Sequence, residues 1–248
     1  MEAALPLAYG YGLVLFRTSA LCAVAPALGA KMVPVRVRLA LALALALAAF
    51  SSLGFAPIAV PDSMLVLASA AARETALGLC AGLAARWMME AALAAGQIAG
   101  NSMGLGYGAL LDPQSGAEST ALADIFAAAA LGCAVALGIH REALLWLCRS
   151  LRETPPGADV AIRDLFARTI ADGLRGLALA TRVAFPFLVA VTFGHAALGL
   201  LGRTSPQLNL QSIGFTVAIL AGGAALYLVA PAAAEVAARA AVSALSSR

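Results

Sequence analysis

Charge is what this chain has least of. Only 12% of its 248 residues are Asp, Glu, Lys or Arg, against about 25% in a soluble globular domain, so an ordinary soluble fold is excluded. The formal net charge is +3, and no basic run is interleaved with aromatics, which argues against a nucleic-acid surface. Cys22, Cys80, Cys133 and Cys148 are scattered through apolar sequence with no close pair. They are expected to be small buried hydrophobes rather than disulfides or metal ligands. No basic residue precedes Arg17, so a cleavable signal peptide is not expected. Of the sixteen basic residues only Lys31 is lysine; that bias carries no functional meaning here.

Apolar length is what the chain has in excess. Hydrophobic residues make up 62% of it, and the mean hydropathy is +0.92. Runs free of charge cover residues 39–61, 91–111, 183–202 and 204–234, and about 20 apolar residues suffice for a helix to cross a bilayer core. Shorter runs at 18–30 and 125–139 are bounded by single charges that can snorkel or pair. About six hydrophobic helical blocks follow. The expected fold is all-α: an integral membrane helical protein, with residues 1–248 forming one domain.

The first block runs over about 6–28, and a basic loop, Lys31 to Arg38, follows; basic short loops favour the cytoplasmic side. The second, 39–55, alternates Ala and Leu, yet both partners are apolar and both are strong helix formers, so helix is predicted. Pro57 and Pro61 end it, and a third block starts near an Asp62-Ser63 cap. Residues 121–151 read as another helix, apolar to Ile139 and amphipathic beyond, stopped by Thr154-Pro155-Pro156-Gly157. Residues 159–175 carry Ile162, Leu165, Phe166 and Ile170 at helical spacing among charges, an amphipathic helix outside the hydrocarbon or against a partner. Two apolar blocks finish the chain.

Glycine is concentrated where a span would not need it. Gly96, Gly100, Gly104 and Gly108 recur every four residues, one helix face on which missing side chains let a neighbouring backbone approach. Each costs close to 1 kcal/mol of helix stability relative to alanine. By periodicity alone this is a packing face. Arg17, Glu74 and Arg182 lie in apolar surroundings, where a charge usually faces the protein interior and pairs. No carboxylate cluster accompanies them, which favours structural pairing over a proton relay.

The segment RTSPQLNLQSIGF at 203–215 resembles the signature of the FliR/SctT family of type III export apparatus proteins: an arginine, then Pro-Gln-Leu-Asn, then an apolar stretch ending Gly-Phe-Pro. Ser102-Met103-Gly104-Leu105-Gly106, Asp112-Pro113 and Gly116 resemble that family's central loop. Arg17 with Pro26, Val33-Pro34 before Arg36, Glu74 before Leu77-Gly78, and His140 before Pro155 also match in order along the chain. Departures fall at Ser102, Gly106, Ile139 and Thr216, and weaken any transfer to those residues individually.

The resemblance implies tilted helical hairpins spiralling around a pore, much of the assembly being lifted above the membrane plane. It implies a non-enzymatic subunit of the export gate, in the bacterial inner membrane at the flagellar basal body, with no cofactor or metal. FliP-type and FliQ-type subunits are the implied gate partners, with FlhB-type and FlhA-type export proteins and unfolded secreted substrates. Met103, Gly104, Leu105, Gly106, Tyr107, Gly108, Leu110, Leu111 and Asp112 would then belong to a pore plug, where apolar side chains exclude water and glycine permits movement. Gly96, Gly100, Arg17, Glu74, Arg203, Pro206, Gln207 and Asn209 would serve helix packing or a subunit interface. The Met-Gly-Leu and Asp-Pro spacing resembles the flagellar version more than the injectisome one. A small-solute transporter would suit a broken helix near Gly104 but lacks grouped polar residues and an inverted repeat. An intramembrane serine protease would need Ser102 to meet His140 or His195, and the surrounding GNSMG is no nucleophile elbow.

Overall fold

The computed structural model describes residues 4–26, 28, 33–106, 120–204 and 210–247, and every described element is a helix. In chain order these are α1 (Ala4–Val24), α2 (Val35–Ser52), α3 (Met64–Ser102), α4 (Ala121–Ala136), α5 (Ile139–Glu153), α6 (Ile162–Thr204) and α7 (Leu210–Ser246). Five are long and apolar enough to cross a membrane, and a sixth span results if the bent pair α4–α5 counts as one. The chain is an all-α integral membrane protein.

Three boundaries differ from the sequence expectation. The second helix begins at Val35 and not Leu39, taking Arg36 and Arg38 into its first turn. The helix expected over 121–151 is two, bent by 60° at the break. Gly138 causes this: its φ of 84° is left-handed backbone that glycine adopts without a Cβ clash, and it ends α4 while capping α5. Conversely, the amphipathic stretch and the next apolar block are one helix of 43 residues, about 64 Å long at 1.5 Å per residue. Their environments change along the chain, but no glycine turn interrupts the backbone.

The chain forms two compact units, the first of residues 1–87, 135–174 and 240–248, the second of 88–134 and 175–239. In the first, α1 packs on α2 where Gly10 faces the Phe50 ring, and Tyr11 donates to the Leu43 carbonyl at 3.2 Å. Gly78 brings α3 onto α1: a Cβ there would overlap the Arg17 carbonyl oxygen and lie 2.9 Å from Ala20 Cβ. On α5, Ile139, Ala143, Trp146, Leu147 and Leu151 are buried while His140, Arg141 and Cys148 face outward. Cys148, exposed, and Cys133, half-buried, thus depart from the expectation that all four cysteines are buried.

In the second unit the core joins Ala95, Ala99 and Met103 of α3, Leu122 and Phe126 of α4, Phe187 and Val191 of α6, and Ala218 of α7. Phe126 and Phe187 meet edge to face, ring centres 5.6 Å apart. A second cluster has alanine at all its buried positions, Ala92, Ala130, Ala234 and Ala237, with Met89 and Cys133 packed against it. Small residues at helix contacts are how membrane helices approach closely enough for dispersion to hold them.

Candidate functional site

Two arrangements stand out, one in each unit. In the second, α3 ends in a turn set by its glycines. Gly96 and Gly100 carry the close approach of α4: a Cβ at Gly96 would come within 2.7 Å of Ala123 Cα, and one at Gly100 within 2.5 Å of Thr120 Oγ1. Thr120 caps α4, its hydroxyl accepting from the Ala123 N–H at 3.2 Å, while its own N–H donates to Gln97 Oε1 at 2.8 Å. At the helix end Gly104 has φ 82°. Its N–H donates to the Asn101 carbonyl at 3.0 Å, and the Leu105 N–H reaches the Gly100 carbonyl at 2.9 Å. This is a Schellman motif, which satisfies terminal carbonyls and redirects the chain.

Within the central segment the side chains divide. Met103 is buried against α7, over Gly222, where a Cβ would come within 2.8 Å of the Met103 methyl carbon. Leu105 is exposed and Gly106 lies beside Asn101. Tyr107, Gly108, Leu110, Leu111 and Asp112 lie outside the described residues, as do Pro206, Gln207 and Asn209. Arg203 falls in the last turn of α6. The four-residue glycine face therefore ends at Gly100, because α3 itself ends at Ser102.

In the first unit a charged cluster sits in the apolar interior. Arg17 of α1 is 0% exposed and Glu74 of α3 1%, and Arg17 Nε donates to Glu74 Oε2 at 2.6 Å. Arg17 Nη1 donates to Ser150 Oγ at 2.7 Å and to Thr154 Oγ1 at 3.3 Å, and Nη2 to the Thr154 carbonyl at 3.0 Å. The second Glu74 oxygen accepts the Gly157 N–H at 2.9 Å. Burying a charge is tolerable only when it is paired and its remaining donors are satisfied, and this cradle does both. It ties α1, α3 and α5 to the 154–157 turn, where Gly157 has φ 84°.

Sequence reasoning singled out Arg17 and Glu74 but not Ser150, Thr154 and Gly157. The last two were read only as a helix stop; their side chain and backbone groups gave no local sign of a distant arginine. Arg182, grouped with the buried charges by its apolar neighbours, is exposed. The Ser102 hydroxyl donates to the Ala99 carbonyl at 2.7 Å rather than to a histidine, and His140 and His195 are both exposed.

The profile of the bacterial export proteins, family 1, matches residues 8–243. The chain is 31% identical over 229 residues to the flagellar biosynthetic protein FliR of Escherichia coli K12, covering 88% of this chain and 84% of that one. To FliR of Bacillus subtilis 168 it is 29% identical over 225 residues, with 88% and 85% covered. To FliR of Caulobacter vibrioides it is 25% identical over 220 residues, with 86% and 85% covered. With the profile spanning nearly all seven helices, the chain belongs to family 1 of the bacterial export proteins.

Proposed function

We infer that this chain is a membrane subunit of a flagellar type III protein export apparatus. The observation that carries it is the family match from residue 8 to 243 together with similarity over 86–88% of the chain to flagellar relatives. An injectisome role is the less favoured reading, since the relatives named are flagellar. The role is structural, with no catalytic residue assigned. We place the chain in the inner membrane at the flagellar basal body, in a gate with FliP-type and FliQ-type subunits beside FlhB-type and FlhA-type proteins. Co-purification of those subunits from detergent extracts tests this; a stable lone chain that moves a labelled small solute into vesicles would overturn it.

Within that gate we assign residues 103–112 to the seal of the pore. Met103 acts as anchor, buried in the second unit, and Gly104, with its left-handed backbone, turns the chain at the end of α3. An apolar constriction excludes water and ions, and glycine lets it yield to a passing unfolded chain without steric strain. Gly96, Gly100, Arg17 and Glu74 hold the scaffold, and we assign Arg203, Pro206, Gln207 and Asn209 to helix packing or a subunit interface. Deleting residues 106–111 should leave assembly intact and raise ion conductance across the membrane; unchanged conductance in an assembled gate would sink the assignment.

A further inference from the structure

The first unit contains a groove that neither the export reading nor the glycine-rich segment uses. It encloses about 350 Å³, with Phe50, Leu53 and Ile58 on one wall and Leu151, Pro155 and Pro156 on the other. Concave sites of about 300 Å³ and upward, apolar with a few placed polar groups, are the usual form of small-molecule sites.

Both walls are held by features already described or visible nearby. The end of α2 closes in a second Schellman turn, with Gly54 N–H on the Ser51 carbonyl at 3.0 Å and Phe55 N–H on the Phe50 carbonyl at 3.4 Å. The Phe50 ring is wedged edge to face between Tyr11 and Phe55, ring centres 6.2 and 5.5 Å away. On the other side, Pro155 and Pro156 lie between two residues fixed by the buried charges: Thr154 accepts from Arg17, and Gly157 donates to Glu74. The groove is therefore preorganised, which lowers the ordering cost of filling it.

One polar side chain belongs to the lining, Arg152, which is exposed and makes no ion pair among the described residues. Glu153 follows one helical step round and is not part of the lining. On α2, Leu39, Leu43 and Leu47 are exposed, and Phe55 at its end is exposed as well. In a membrane span such a stripe faces lipid, and Phe50 and Leu53 of the groove wall lie at the C-terminal end of the same helix. A guanidinium is suited to a phosphate, which it can grip through two parallel hydrogen bonds.

We propose that this groove seats one acyl chain of an anionic phospholipid, with the lipid phosphate on Arg152. The occupant belongs to the bilayer the chain is embedded in, its tail matches the apolar walls, and its charge is opposite to that of Arg152 at the mouth. Because a zwitterionic headgroup brings its own cation to that guanidinium, the site selects a net negative lipid. The inference rests on the membrane location of the chain and stands whether or not residues 103–112 seal a pore.

The test uses the full chain, purified in detergent with whatever subunits accompany it, delipidated and then offered dioleoyl phosphatidylglycerol or dioleoyl phosphatidylcholine. Native mass spectrometry counts the lipids retained. One phosphatidylglycerol should survive on the wild type, with about tenfold preference over phosphatidylcholine, the order expected from one charge-assisted contact. Arg152→Gln, a surface change, should abolish the preference; Ala56→Trp, which fills the groove, should abolish the tightly held lipid. Equal retention of both lipids by the wild type, or an undiminished preference in Arg152→Gln, would overturn the proposal. So would a peptide segment from another protein found in the groove in place of lipid. If Ala56→Trp fails to fold, Arg152→Gln decides alone.

Discussion

Glu74→Ala puts the largest single contribution of the buried cluster to the test. The substitution leaves the Arg17 guanidinium, 0% exposed, with only the Ser150 and Thr154 oxygens, and strips the Gly157 N–H of its acceptor. Removing one partner of a buried ion pair costs about 3–5 kcal/mol, mostly because the surviving charge is uncompensated. The orphaned Gly157 N–H would cost about 1–3 kcal/mol if it stayed dry, but the 154–157 turn can open to solvent, so the larger figure sets the scale. Glu74→Gln keeps one acceptor for either Arg17 or Gly157 but leaves the Arg17 charge uncompensated, so it should lose only slightly less than Glu74→Ala. In Arg17→Met with Glu74→Leu no charge remains, and paired apolar replacements of buried ion pairs are often neutral. That double variant should be more stable than Glu74→Ala although it removes more hydrogen bonds. Unfolding of the purified chain in mixed micelles, followed by helical circular dichroism, gives the order; hydrogen exchange at Gly157 reports the turn. If the double variant unfolds as easily as Glu74→Ala, uncompensated charge is not what the cluster guards against. Unchanged exchange at Gly157 in Glu74→Ala would show that the carboxylate does not hold the turn.

The helix contacts make sharper contrasts. Gly78→Ala forces a methyl onto the Arg17 carbonyl, and Gly96→Ala one onto Ala123 Cα at 2.7 Å; each should destabilise by about 1–3 kcal/mol through overpacking. Gly132, exposed and helical with nothing within 4 Å of a built Cβ, is the control, and Gly132→Ala should stabilise by up to about 1 kcal/mol. Equal effects at all three in the same unfolding assay would contradict the packing account. At Gly104, φ 82°, alanine should cost about 1–2 kcal/mol and asparagine less, since it tolerates left-handed backbone; identical thermal midpoints for the two would argue against the Schellman turn.

Much of the fold is legible along the chain because length and hydropathy are local properties. The runs at 39–61 and 183–202 required spans wherever they ended, and Ala-Leu repetition required helix. Gly138 was less legible: a single glycine in an apolar run is tolerated in many helices, and only its left-handed backbone shows that the chain bends by 60° there. The join of the amphipathic and apolar parts of α6 was hidden for the opposite reason, since a change of environment resembles a boundary when the backbone has none.

The sequence alone determined the membrane class, the helix-forming blocks, the glycine-rich segment and Arg17 and Glu74 as charges needing partners; its ordered motifs pointed to the family. Tertiary structure decided who those partners are. Arg17 meets Glu74 across 57 positions and Ser150 across 133, and no local pattern encodes which oxygen completes a cradle. It likewise decided that Gly96 and Gly100 serve α4 while Gly104 turns the chain, and that α2 and the 154–157 turn face each other across a groove. Burial of apolar length is enforced residue by residue, whereas satisfying a buried charge or shaping a cavity depends on groups that only folding brings together.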